Sequence, residues 1–513
     1  MKKLFSLLSF LIVTTAFGQV PAIQWQKSLG GTGADQAYSI QQTTDGGYIV
    51  AGISESTSGD VTGNHGLVDY WIVKLGSTGS IQWQKSLGGI REDYANSVQQ
   101  TTDGGYIVAG NSRSNDGDVS GNHGGYDSWI VKLASTGIVQ WKKTLGGTRN
   151  DLTASIQQTA DSGYIVAGSS NSNDGDVTGN QGSNDYWVVK LDHAGTIQWQ
   201  KSLGGPQDDQ AASVQQTSDG GYIVAGQSSS ISGDVTGNHG LVDYWVVKLT
   251  STGIIQWQKT MGGTAGEAAA TIQQTTDGGY VVTGYAQSNN GDVSGNHGFV
   301  DYWVVKLTSL GAIQWQKCLG GPGSNYAKSI QQTADGGYIV AGQTNSINGD
   351  ITGNHGGYDY WLVKLDNMGA IQWQKAMGGT SYDVATSIQQ TSDGGYVVAG
   401  QTTSNDGDIT GNRGSYDYWV VKLEGNPVAV SNVDLAKGVL IYPNPATDQV
   451  YIQCDKAIGK VQITDLSGKE IYQTSVSGGS ITISTETLAN GLYMLHLNTV
   501  DGRTVNQKLV VQH

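Results

Sequence analysis

Residues 37–89 read AYSIQQTTDGGYIVAGISESTSGDVTGNHGLVDYWIVKLGSTGSIQWQKSLGG, and this text returns with few substitutions along most of the chain. Two tryptophan series fix the period. Trp25, Trp83, Trp141, Trp199, Trp257, Trp315 and Trp373 form one, and Trp71, Trp129, Trp187, Trp245, Trp303, Trp361 and Trp419 the other; both advance by 58 residues without insertion or deletion. Self-similarity of this length marks a solenoid, a propeller or an array. Inside the unit, β-rich runs at 38–44 and 48–53 flank Asp45-Gly46-Gly47, and runs at 69–75 and 80–87 flank Ser77-Thr78-Gly79. Such glycine turns connect hairpins, because glycine takes positive φ without a steric penalty. The unit is predicted to be a four-stranded antiparallel meander, with a polar loop over 54–68 between its second and third strands.

Patterning orders the strands. YIVAG and YWIVKL are apolar on both faces, as in a sheet covered on each side. IQWQKSL alternates and suits an outer strand, while SIQQT is the most polar run and suits a wet central channel. Radially stacked blades satisfy all three. The ends decide between ring and open stack, since solenoids need atypical capping repeats. Here the chain opens with a lone fourth strand, 23–29, and the array stops after a third strand, 417–423, so each end supplies what the other lacks. The predicted fold is all-β: a seven-bladed β-propeller over 19–426, the N-terminal strand closing the last blade, then a linker over 427–437 and a small C-terminal β-sandwich over 438–513.

Composition narrows the function classes. The chain has 76 glycines in 513 residues, 14% charged residues and a net charge of −15, which argues against a nucleic-acid partner needing a basic face. Lys2 and Lys3, the apolar run 4–17 and the small residues Ala16 and Gly18 read as a signal peptide over 1–18, cleaved before Gln19. The run is too short for a bilayer span, and no later run is long enough, so the mature chain is expected to be exported, without a membrane span and monomeric. Cys318 and Cys454 fall in different predicted domains, and Cys318 occupies a repeat position held elsewhere by Ser, Thr or Ala. Stability is therefore expected to come from packing, with no disulfide between them.

The C-terminal segment carries Tyr442-Pro443-Asn444-Pro445-Ala446-Thr447-Asp448, then ITDLSGKEI at 463–471, LANGLYMLHL at 488–497 and KLVVQ at 508–512. On these motifs it closely resembles the type A C-terminal sorting domain of the type IX secretion system. The resemblance implies Sec export, recognition by the type IX machinery of a Gram-negative cell, and release or attachment at the outer surface. The repeats resemble kelch-like propellers in the order of a Gly-Gly hairpin and two Trp strands. They depart in placing the glycine pair in the first hairpin turn, so this resemblance bears on architecture alone.

Variation among the copies concentrates in the connections between blades, which emerge on the same face as the long loop. That face is the expected binding surface, with drift in unconstrained loops as the alternative. Its candidate ligand-binding residues are Asp35, Asp93, Tyr94, Asp151, Asp209, Glu267, Tyr326, Tyr382 and Asp383. The acids among them recur at one repeat position and would ring the channel mouth, unless they serve local turn bonding. The long loop also has calcium-loop spacing, acid-x-acid-x-hydroxyl-Gly with a further acid at the twelfth place. It gives the candidate metal ligands Asp116, Asp118, Ser120 and Asp127; Asp174, Asp176, Thr178 and Asp185; and Asp406, Asp408, Thr410 and Asp417. Calcium is the cofactor this spacing suggests, and a loop held by Asx turns is the competing reading. His65, His123, His239, His297 and His355 recur in the same loop but give way to Gln181 and Arg413, as expected of surface residues.

The sequence does not assemble an acid, a base and a nucleophile: the departures Arg91, Arg113, Arg149, His193, Tyr285 and Cys318 are scattered among blades. The expected function is binding or adhesion to an extracellular glycan or protein. The alternatives are a polysaccharide hydrolase or lyase with carboxylates at the channel mouth, and a structural surface-layer component.

Overall fold

The computed structural model describes residues 20–425, 439–465, 469–500 and 504–512. The predicted signal peptide and the 427–437 linker lie outside the described residues. The described residues divide into two compact units, the first ending at Leu423.

The first unit contains seven four-stranded antiparallel sheets. In blade 1 the inner strand is Asp35–Gln42, the second Tyr48–Ser54, the third Asp69–Leu75 and the outer Ile81–Leu87. Blades 2 to 6 repeat this order, starting at Asp93, Asp151, Asp209, Glu267 and Asn325. Blade 7 takes Asp383–Gln390, Tyr396–Thr402 and Asp417–Leu423 from the end of the array and its outer strand, Ile23–Leu29, from the beginning. The complementary ends therefore close the ring, with Leu29 opposite Tyr418 and Ile23 opposite Leu423.

The third strands are buried along their whole length, and the second strands along all but at most their sixth residue, because each blade is sandwiched between two others. Each apolar core spans two neighbours: Ile49, Tyr70 and Ile72 of blade 1 pack with Val108, Trp129 and Val131 of blade 2, and Tyr418 and Val420 of blade 7 pack with Trp71 and Val73 of blade 1. The tyrosine before each third-strand tryptophan adds a directional bond. Tyr70 Oη donates to the Trp129 carbonyl at 2.8 Å, and Tyr418 Oη to the Trp71 carbonyl at 2.9 Å across the closure.

The inner strands meet a problem common to sheet edges, a row of backbone donors with no further strand to receive them. The paired glutamines solve it. Gln41 Oε1 accepts the Gln100 amide at 2.6 Å, Gln99 accepts that of Gln158, and the series ends where Gln389 accepts that of Gln42. The second glutamine reaches the opposite way, Gln100 Oε1 accepting the Thr44 amide at 2.8 Å. The polar SIQQT run therefore lines the channel, but its side chains run sideways and stitch blade to blade.

A second buried polar device sits under the first hairpin turn. The Lys74 ammonium, 3% exposed, lies 2.9 Å from Asp45 and donates to the Leu75 carbonyl at 3.0 Å; the arrangement repeats through Lys364 and Asp335 in blade 6. The turn itself needs left-handed backbone, which Gly46 adopts at φ 79°; Ser162 does so in blade 3 at 66°.

Blade 2 breaks two rules. Ser128 replaces the tyrosine, its hydroxyl meeting that of Thr153 where all six other copies have Ala. Lys142 replaces the outer-strand glutamine. Elsewhere that glutamine accepts the tryptophan indole, as Gln84 Oε1 does for Trp71 Nε1 at 2.9 Å. Lysine has no acceptor, and the buried Trp129 Nε1 is left without a partner. Lys142→Gln is expected to stabilise the propeller by about 1 kcal/mol, since the exposed Lys142–Asp118 contact it removes is worth little. An unchanged urea midpoint would overturn this.

In the second unit, strands Val439–Tyr442, Gln449–Thr464, Glu470–Ser484, Gly491–Thr499 and Thr504–Val511 form one five-stranded hydrogen-bonded sheet. Gln449–Thr464 and Glu470–Ser484 each run as one continuous strand. Register shifts between Gln453 and Lys460 bend the sheet, and the bend lets its arms enclose Ile441, Ile452, Ile463, Leu495 and Leu509. Cys318 and Cys454 are both buried, and no disulfide joins them.

Candidate functional site

The connection between blades and the long loop zip together on one face. Gly33 N donates to Ser56 Oγ at 2.9 Å, and Asp60 N to the Gly30 carbonyl at 2.9 Å. The acid that starts each inner strand sits beneath this zipper. Asp35, Asp93, Asp151, Asp209, Glu267 and Asp383 are all fully buried, which corrects the expectation of an open carboxylate ring at the channel mouth. Asp93 Oδ2 accepts Gly89 N at 2.8 Å and Ser114 Oγ at 2.9 Å, and Oδ1 accepts the Ser112 hydroxyl. These carboxylates organise the loops and do not face solvent.

Each of them meets a second buried aspartate, the first residue of the preceding blade's third strand. A Cβ placed on Gly88 would lie 2.5 Å from Asp69 Oδ1 and 2.6 Å from Asp93 Oδ2, so the two carboxyl groups flank that glycine together. Asp69 Oδ2 accepts His65 N and Nδ1, at 2.7 and 2.8 Å, whereas Oδ1 has no partner. The same oxygen is orphaned in Asp127, Asp185, Asp243, Asp359 and Asp417. The exception is Asp301, where the facing residue is Asn325 and its Nδ2 donates to Oδ1 at 3.2 Å. Burial, reinforced by the facing acid, pushes Asp93, Asp127, Asp185 and Asp417 up to about 6.

The calcium-spaced residues are engaged with the protein. Asp116 Oδ1 accepts Ile90 N at 2.9 Å, and Asp174 and Asp406 each accept the amide and hydroxyl of a threonine, Thr148 and Thr380. Asp176 and Asp408 accept Gly146 N and Gly378 N; Asp118 meets Lys142 Nζ at 3.4 Å. The Ser120, Thr178 and Thr410 carbonyls accept hydroxyls from outer strands, and Asp127, Asp185 and Asp417 cap the amide four residues earlier. Among the described residues no three His, Cys, Asp or Glu side chains group as a metal site. The loop histidines each bond the aspartate four residues on, as His123 Nδ1 does with Asp127 at 2.7 Å.

The tyrosines do lie on the loop-rich face. Tyr382, 52% exposed, packs on Tyr358 at 5.3 Å between centroids, Tyr326 on Tyr285 at 5.2 Å, and Tyr94 on Tyr126 at 6.1 Å. Within their ring the channel widens into a cavity of about 780 Å³, large enough for a small ligand. Its wall includes one inner-strand position from every blade: Tyr38, Asn96, Ala154, Ala212, Ala270, Lys328 and Thr386. The three alanines make blades 3 to 5 a low wall, and the larger polar residues come from blades 6, 7, 1 and 2. Tyr38 donates to Gln36 Oε1 at 2.9 Å, and burial raises its phenol to about 12, so it stays a neutral donor. Sequence reasoning missed this column. The signal was available: just after a nearly invariant Ala, one inner-strand position holds five different residue types in seven copies.

No curated protein matches the chain. Similar solved structures include the extracellular domain of BT4673 from B. thetaiotaomicron, at 11% identity and a TM-score of 0.40, covering 96% of this chain; this chain spans 58% of that one. Sqt1 from Chaetomium thermophilum is 11% identical with a TM-score of 0.40, covering 78% of this chain and 100% of that one. PorZ, a surface component of the type-IX secretion system of Porphyromonas gingivalis, is 13% identical with a TM-score of 0.26, covering 94% and 75%. Likenesses this distant say nothing about activity. Residues 440–512 match the family described as the secretion system C-terminal sorting domain. No helix among the described residues is long and apolar enough to cross a membrane. The C-terminal unit is thus a type IX secretion system sorting domain, which marks the chain for secretion and attachment at the cell surface.

Proposed function

We propose that the propeller is an extracellular binding module that takes a glycan in the channel-mouth cavity, while the sorting domain engages the secretion machinery. One observation carries the reading. Within sheets whose other strands repeat closely, the inner-strand position lining this cavity is Tyr, Asn, Lys or Thr in four blades and Ala in three, so the ring's symmetry is broken where a ligand would touch it. The lining chemistry suits sugars: tyrosine rings offer flat apolar faces with a polar tip, and Gln36, Gln227, Gln343 and Asn96 offer amides to hydroxyls. The hydrolase or lyase alternative loses its catalytic groups, since the acids it would use are buried under the loops. Calcium does not enter the reading, because the loop acids already cap amides and hydroxyls.

The mature full-length chain on a glycan array is expected to bind a defined set of oligosaccharides without releasing reducing sugar. Ala270→Trp, which fills the low wall, should abolish binding with the thermal unfolding curve unchanged. Turnover, or binding that survives the filled cavity, would overturn the proposal.

A further inference from the structure

Lys328 is the one charged residue among those lining the mouth cavity, in a protein of net charge −15. The position it occupies is Tyr, Asn, Ala or Thr in the other six blades, so nothing in the blade scaffold requires a cation there. The buried lysines of the repeat have a structural role, since Lys74 and its equivalents each hold the aspartate of a hairpin turn. Lys328 has no such aspartate to hold. Its backbone carbonyl accepts Thr271 Oγ1 at 2.7 Å, and the described residues form no ion pair with its ammonium. The side chain is exposed to channel water, and the partial desolvation imposed by the surrounding wall lowers its pKa below the usual lysine value. A cation lining a cavity mouth without a counter-charge attracts an anionic ligand group more strongly than it would in open water.

Resting on the glycan-binding reading, we propose that the ligand is an acidic saccharide whose carboxylate pairs with Lys328 while its ring lies against the tyrosines of the mouth. A saccharide fits this wall better than an acidic peptide. Beside its single cation the lining offers amides, hydroxyls and aromatic faces, which suit the hydroxyls and flat ring face of a sugar.

The test uses the full-length chain with oligogalacturonate, the same oligomer methyl-esterified, and a polyglutamate peptide, measured by titration calorimetry. Oligogalacturonate is expected to bind, the ester at least tenfold more weakly, and added sodium chloride to weaken only the former. Lys328→Met should reduce oligogalacturonate binding by about 10- to 100-fold, the range of a charge-assisted bond. Lys328→Arg should restore most of it, and both variants should melt as the parent does. If neutral glycans bind and Lys328→Met leaves them unaffected, the acidic-ligand inference fails and the glycan module stands. Polyglutamate binding that depends on Lys328, without oligogalacturonate binding, overturns the saccharide assignment. An absence of binding to any saccharide overturns both readings.

Discussion

A chain lacking residues 20–29 loses its cooperative unfolding transition near the parental midpoint and leaves size-exclusion columns as dimers or larger species. Those residues are the outer strand of the last blade, and six backbone register pairs join it to the strand Asp417–Leu423. Its removal also frees side-chain bonds: Trp419 Nε1 loses Gln26 Oε1 at 2.6 Å, and the Thr410 carbonyl loses the Ser28 hydroxyl at 3.0 Å. Leu29 and Trp25 leave the core shared by blades 7 and 1, and Ile23 leaves the core of blades 6 and 7. At roughly 1 kcal/mol net per hydrogen bond and 1–3 per apolar side chain, the loss is on the order of 5–10 kcal/mol. That is comparable with the whole stability of an ordinary domain. The strand 417–423 would present an unpaired edge, and such edges recruit other chains. Cleavage at the expected site before Gln19 would leave the closing strand Ile23–Leu29 whole. A monomer with the parental melting curve would show that the ring does not depend on this closure.

Most of the fold was legible because its determinants are local and repeated. The 58-residue tryptophan spacing, the Asp-Gly-Gly turn and the two complementary ends each state a constraint that one stretch of sequence carries by itself. What escaped reading depends on partners in another blade or another strand. Gln41 and Gln42 look like residues of a wet channel, yet their acceptors serve backbone amides of the adjoining blades, as Gln41 does at Gln100. Lys74 interrupts an apolar run for no local reason; its counter-ion, Asp45, lies on the other hairpin of the sheet. The acid at Asp35 repeats as a binding ring would, but its donors Ser54 and Ser56 come from the end of the second strand and bury it. Lys328 does not stand out along the chain, where departures from the repeat are scattered; only the ring gathers residues spaced by 58 into one wall.

Asp93→Asn is expected to stabilise the protein at pH 8 by about 3 kcal/mol and to leave it unchanged at pH 4. The facing groups Asp69 and Asp93 are both raised, each first by burial; the Asp69 charge adds to this at Asp93, which stands at about 6, and the Asp118 charge adds to it at Asp69. The unfolded chain loses this proton near pH 3.9 and the native chain holds it to about 6, so unfolding releases a proton in that window. A group of this kind contributes its full stability below about 4 and loses it as pH rises through 6; two pH units correspond to the stated 3 kcal/mol. Asn325 is the precedent in blade 6, where the amide donates permanently to Asp301 Oδ1 and its own Oδ1 accepts Thr344 Oγ1 at 2.5 Å. Asparagine at 93 would give the orphaned Asp69 Oδ1 the same donor at every pH. The hairpin aspartates set the opposite limb. At Asp45, burial works to raise the carboxyl, but hydrogen bonds from Thr43, Lys74 and Gly47, with the Lys74 charge, outweigh it and hold Asp45 at about 2. Depressed groups stabilise above the unfolded value and fail as pH falls toward 2, so the parental protein should be most stable near about pH 4 and weaken on both sides. Urea midpoints from pH 3 to pH 8 test both statements. A profile flat between pH 4 and 8, or Asp93→Asn matching the parent at pH 8, would mean that the facing acids do not hold a proton between them.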